Sequence, residues 1–350
     1  MKTIFMGLMG LFLSSLLLAQ TTPSQPFSIE GYVEAYFAYD FNMPEHHERP
    51  HFLYNFKRHN EFSLNLGLVK LQYQQEQVRA NLSVMTGNYA QYNLADEPAW
   101  AQMVYEASVG IRLLENLWLD MGVMPSHIGF ESAIGMECWH LGRSLMAENS
   151  PYFLTGARFT YSYNENLDII LWLTNGWQNV QRTKRNQSLG MGAGVNYRPI
   201  EGMVINYANY FGNEYPQTIR LNRFFNNFYW QYQWATYGIT VGADLGIEER
   251  LFTRNLNKWY GTTISLQKRL WESFRVALRG EYYSDQAAVI LEEGMRLSGV
   301  SLNVDFEPAK NALLRIEGRR FLSPEPVFER PAGLMSRGNS SIVTSLAIKF

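Results

Sequence analysis

Arg275 and Arg279, and again Arg315 and Arg319, stand four residues apart, and in an extended chain residues at that spacing share a face. Four guanidinium groups on one surface make a fixed positive wall. Facing carboxylates, such a wall creates a transverse field of the kind that orients polar solutes and tunes ion selectivity in a water-filled pore. The segment 125–151 can supply the carboxylates. It holds Glu131, Glu137 and Glu148 with His127, His140 and Arg143, interleaved with Ile128, Phe130, Ile134, Met136 and Trp139. Glu30, Glu34, Arg79, Asp120, Asp168 and Asp244 fall on the polar parity of their own segments and join the candidates for a pore lining. A blander reading stays open, in which inward charges only solvate a wet lumen or pair across strands.

Bond-making chemistry finds little support. There is no Gly-x-Ser-x-Gly elbow and no phosphate-cradling loop, and none of the six His residues falls within a strand-like segment. A serine triad needs a His beside its nucleophile, so no catalytic residue is assigned and the chain is not expected to be an enzyme. His46, His47 and His51 share one loop and offer imidazole ligands. Pro44, Pro50 and several charges in the same loop favour a solvated segment. No metal and no cofactor is expected.

The elements that must position these charges are strands. In 27–41, Phe27, Ile29, Gly31, Val33, Ala35, Phe37, Tyr39 and Phe41 share one face, while Glu30, Glu34 and Asp40 lie on the other. Phe274, Val276 and Leu278 oppose Arg275 and Arg279, and Leu314 and Ile316 oppose Arg315, Glu317 and Arg319. Short turns at 74–76, 114–116, 164–166, 198–201, 235–237, 269–272 and 307–310 alternate with long polar loops. The turn at Ala235–Tyr237 has the weakest chemistry. In the second strand Phe62, Leu64, Leu66 and Leu68 share a face, and Val69 and Leu71 fall on the wrong parity, which predicts a bulge or an apolar patch inside. The count comes to about sixteen strands, with fourteen or eighteen open because parity blurs at 203–211 and 228–234.

Composition agrees with a membrane barrel. The net charge of −2 argues against the clustered Lys and Arg that bind a nucleic-acid backbone, so no nucleic acid is expected as a partner. Aromatics reach 15% of 350 residues, as the girdles of a barrel require. A soluble β-sandwich would also alternate, but it does not predict the turn-and-loop rhythm. Lys2, the apolar run Ile4–Leu18 and Ala19 read as a cleaved signal peptide over 1–19, leaving a barrel over 20–350 with no plug before its first strand. Cys138 is the only cysteine, so no disulfide forms within the chain. Ile342, Thr344, Leu346, Ile348 and Phe350 make an outward strand with a terminal aromatic, the form in which outer-membrane barrels commonly present an assembly signal.

The stretches Asn55–Leu66 (NFKRHNEFSLNL), Leu117–Ser132 (LWLDMGVMPSHIGFES), Ser144–Tyr152 (SLMAENSPY) and Leu173–Trp177 (LTNGW) resemble the OmpL-like β-barrel porin family of Bacteroidetes. The resemblance implies an outer-membrane porin and assigns no substrate or site residue. The expectation is an all-β, antiparallel up-and-down transmembrane barrel in a Gram-negative outer membrane, with both termini periplasmic. Its partners would be membrane lipid, the barrel-assembly machinery and small polar solutes, with a homotrimer open. The segment 125–151 either folds inward as a constriction or caps the outside, and its apolar content favours the first. An occluded barrel with a surface-binding or structural role is the alternative to a diffusion channel.

Overall fold

The computed structural model describes residues 26–251 and 255–350, so the expected leader over 1–19 lies outside the described residues. The first half of the chain forms β1 (Phe27–Asp40), β2 (Phe62–Gln74), β3 (Val78–Thr86), β4 (Val104–Leu114), β5 (Leu117–Pro125), β6 (Phe153–Asn164), β7 (Leu167–Thr174) and β8 (Gly190–Tyr197). The second forms β9 (Met203–Asn213), β10 (Asn222–Trp234), β11 (Tyr237–Glu249), β12 (Leu256–Trp271), β13 (Phe274–Asp285), β14 (Met295–Ala309) and β15 (Ala312–Leu322). A small hairpin of β16 (Phe328–Arg330) and β17 (Leu334–Ser336) precedes β18 (Gly338–Lys349). Sixteen of these strands close into one antiparallel barrel, each beside its chain neighbours, with β1 sealed against β18. No helix among the described residues is long and apolar enough to cross a membrane.

Alternation dictates which face each residue takes. Leu266, Leu278 and Leu302 pair across β12–β14 and point outward at 49%, 48% and 51% exposure. The next register row, Ser265, Arg279, Ser301 and Arg319, points inward and is buried. An apolar outer band over a polar interior is what a bilayer outside and a hydrated lumen inside demand. Glycine matters at one seam. Gly31 and Phe350 exchange backbone hydrogen bonds of 2.6 and 2.9 Å, and the Phe350 ring lies where any Cβ at position 31 would come within 2.4 Å.

All seven short turns occur, including the weak one, where Ala235 takes φ +47° with no Gly or Asn to favour it. The irregularity expected in β2 is a bulge. Register against β1 shifts between Glu34 and Ala35, so Asn65 is the extra residue. Leu66 and Leu68 therefore turn inward and are buried, whereas Val69 and Leu71 face out. That corrects the expectation that Leu66 and Leu68 share the outer face with Phe62 and Leu64. In β10, parity blurs because Asn226 points outward, where its side-chain oxygen accepts a 2.6 Å hydrogen bond from Tyr207.

Replacing Leu302 by Arg places a charge in the middle of the apolar band, and it should destabilise the barrel by about 2–4 kcal/mol. Denaturant titration in lipid vesicles measures this, and a change below about 1 kcal/mol would mean that this face does not meet hydrocarbon.

Candidate functional site

Between Pro125 of β5 and Phe153 of β6 the chain crosses the barrel interior rather than returning over its rim. Ser126 donates to the Tyr152 carbonyl at 3.0 Å and closes the base of this loop. The loop then moves along the wall. His127 Nε2 lies 3.0 Å from the Asn209 carbonyl of β9, in a space that Gly192 and Gly194 of β8 leave open. Gly129 N–H donates to Asn227 of β10 at 3.1 Å. His140 Nε2 meets Ser265 of β12 at 2.7 Å, and Leu141 N–H donates to Asn303 of β14 at 3.1 Å. Gly142 and Leu145 N–H groups donate to Glu317 of β15 and Glu281 of β13, both at 2.8 Å. Irregular backbone away from bulk water must find such partners, and the wall's inward polar residues supply them.

The arginines take part in the same anchorage. Arg279 lies 3.4 Å from Glu131 and 3.3 Å from Glu317, and it donates to the Gly142 carbonyl at 2.8 Å. Arg315 pairs with Asp305 at 2.8 Å and donates to the Gly135 and Cys138 carbonyls at 2.8 and 3.0 Å. Arg319 pairs with Glu281 at 2.6 Å and reaches the Arg143 carbonyl at 2.9 Å. Arg143 braces the loop from within, donating to Ser132 and Ala133 carbonyls at 2.6 and 3.0 Å and to that of Leu141. Glu131 also accepts from the Ser144 hydroxyl and, at 2.9 Å, from the Ser144 N–H.

Arg279, Arg315 and Arg319 are therefore 1%, 1% and 6% exposed. Parity set their direction correctly, but the loop covers them, so they hold the loop instead of facing water. Their charges are matched there by Glu131, Glu281, Asp305 and Glu317. Arg275 stands apart at the turn side, paired with Glu307. Glu30 pairs with Lys349 at 3.1 Å. Glu34 is buried beside Gly135, accepting from Asn65 at 3.1 Å and Ser345 at 3.2 Å. Asp168 meets Arg198 at 2.6 Å, and Asp244 accepts from Asn227 at 2.6 Å.

Water reaches the other side of the loop. A cavity of about 350 Å³ is lined by Lys70, Tyr105, Phe130, Glu131, Glu137 and Tyr229. Glu137 is exposed there, while Lys70 lies 3.5 Å from Glu106. The wall of β3–β6 continues the polar lining with Arg79, bound to Asp120 at 2.5 Å, and Arg158, 3.2 Å from the same carboxylate. Lys70 and Arg158 escaped the sequence reading. Lys70 turns inward only because of the Asn65 bulge, and Arg158 lacked a like-charged neighbour four residues away to draw notice. Among the described residues no group of three His, Cys, Asp or Glu side chains is placed to hold a metal ion.

The profile of the family described as "Putative beta-barrel porin-2, OmpL-like" matches residues 26–350. The chain belongs to this porin family. None of the curated proteins matches it. Solved porins share the fold at low identity, as three of them illustrate. An anion-selective porin from Comamonas acidovorans aligns with a TM-score of 0.62 and 8% identity, covering 93% of this chain and 99% of that one. The outer-membrane channel DcaP of Acinetobacter baumannii gives 0.63 and 8%, over 93% and 97%. The trimer form of in-vitro folded OmpT, an outer membrane protein of Vibrio cholerae, gives 0.60 and 8%, over 93% and 99%. The OmpL-like chain is thus a sixteen-stranded outer-membrane barrel of porin type.

One loop carboxyl makes the anchorage pH-dependent. Burial pushes Glu148 up to about 7, against the Tyr54 N–H that donates to it at 2.9 Å and the nearby Arg143 charge. The folded protein holds this proton more tightly than the unfolded chain does. Its stabilising contribution is complete below the ordinary value of 4.5 and is lost as pH rises to about 7. Glu148→Gln should consequently raise thermal stability relative to the parent at pH 8 and leave it unchanged at pH 4, as read from paired melts at both values.

Proposed function

We propose that this protein is a diffusion channel for small polar solutes and ions, with the loop between β5 and β6 as its constriction. The observation that carries the reading is the cavity that the inserted loop leaves beside the wall. The loop's polar tethers run to β9, β10 and β12–β15, and toward β2–β6 it leaves the 350 Å³ space bordered by Lys70 and Glu137. A sixteen-stranded barrel is wide enough to keep an aqueous path beside an inserted segment. No catalytic role is proposed.

Export and assembly follow the same reading. The leader over 1–19 is removed, both chain ends and the seven turns lie in the periplasm, and the long loops face outward. Phe350, which is 71% exposed beside the closing seam, serves as the terminal assembly signal. Likeness to the trimer form of the Vibrio protein supports a homotrimer, for which chemical cross-linking in native membranes should yield a band at three times the monomer mass.

In planar bilayers the purified barrel should show step conductance. Glu137→Lys should move the zero-current potential in a salt gradient toward the chloride equilibrium value. Folded protein that never conducts would instead identify an occluded barrel with a binding or structural role.

A further inference from the structure

The lumen charges outside the loop's anchorage do not cancel evenly. Glu30, Glu106, Asp168 and Glu307 each have a cation of their own, in Lys349, Lys70, Arg198 and Arg275. On β3–β6 the balance differs. Asp120 is shared by Arg79 and Arg158, and Arg112 has no carboxylate partner among the described residues. Three guanidinium groups therefore face one carboxylate on neighbouring strands.

These groups are held in place. Register puts Arg79, Gly110, Asp120 and Arg158 in one row, and Arg112 directly opposite Trp118 in the next. Gly110 is essential to the row, because a Cβ there would come within 2.2 Å of the Asp120 carboxylate and 2.9 Å of the Arg79 side chain. Its absence lets Arg79 pass over β4 to reach Asp120 on β5. The Arg79 and Arg112 guanidinium carbons lie 4.2 and 5.1 Å from the centroid of the same Trp118 ring, and Arg158 lies 5.5 Å from that of Trp172. Stacking on indole fixes a guanidinium plane and leaves its edge free for hydrogen bonds. The Arg112 Nε is shielded from water and unpartnered, a donor without an acceptor.

We propose that this wall is an anion-binding patch for solutes bearing carboxylate or phosphate oxygens, which guanidinium edges recognise bidentately. Arg112 supplies the free donors and the surplus charge. Arg79 and Arg158, oriented by Asp120 and the two indoles, complete the surface. The proposal rests on the diffusion-channel reading for its role in transport, since the patch would raise the local concentration of anions in the lumen. Anion binding itself does not require conduction.

Two measurements separate the patch from the pore. Isothermal titration of the intact detergent-solubilised barrel with citrate, and separately with inorganic phosphate, should show saturable binding. Arg112→Gln should weaken it at least tenfold and Arg112→Lys less, with heat-modifiable gel mobility confirming that both variants are folded. Absence of saturable binding, or an equal affinity in Arg112→Gln, would overturn the patch. In bilayers under a potassium chloride gradient the parent should reverse on the anion side and Arg112→Glu should move toward the cation side. An unmoved reversal potential would count against the patch, whereas citrate binding without any current would sustain it and remove the channel reading.

Discussion

The requirement that every backbone N–H and C=O at membrane depth be paired within the protein governs this molecule twice. It first imposes the closed ladder, since an open sheet edge in hydrocarbon would leave a row of unmet groups. The seam between β1 and β18 answers that demand as far as the hydrogen bonds between Gly31 and Phe350. The requirement then returns in the lumen, where the loop from β5 to β6 carries irregular backbone away from bulk water. Asn227, Asn303, Glu281 and Glu317 accept its amides, so part of the polar interior exists to receive the loop.

Arginine suits the second task because its donors are numerous and its charge is permanent. Arg279, Arg315 and Arg319 each combine a carboxylate with one or two loop carbonyls, tying wall and loop through the same side chain. Burying such charges is costly and their mutual attraction offsets the cost only in good geometry, so the network is better understood as setting the loop's position than as adding net stability. Removing one member of a buried pair would still cost about 3–5 kcal/mol, because its partner would be left charged and unmatched. The lumen charges thus include a covered set on β13–β15 that holds the loop and, on β2–β6, partly exposed Lys70, Arg79 and Arg158 paired with the buried Glu106 and Asp120.

Much of the barrel was legible in the chain. The two-residue period in β1, β13, β15 and β18 separated outer from inner residues, and all seven turns stood between the right strands. Legibility failed where the backbone departs from that period. The Asn65 bulge reversed Leu66 and Leu68, because one inserted residue exchanges the faces of everything that follows it. The turn at Ala235 was faint because a residue without turn propensity takes a left-handed conformation there, held by the register of β10 against β11.

Strand parity is local and covalent, so the order of residues along the chain is enough to specify the barrel, its polar interior and the inward direction of Arg279, Arg315 and Arg319. It also marked the segment after β5 as too apolar for a simple surface loop. Which inward charges water can reach is settled by the folded arrangement alone. That depends on where a loop of more than twenty residues lies across the lumen, through contacts between residues as distant in the chain as Gly135 and Arg315. A period of two says which way a side chain points. It carries no record of what comes to rest on top of it.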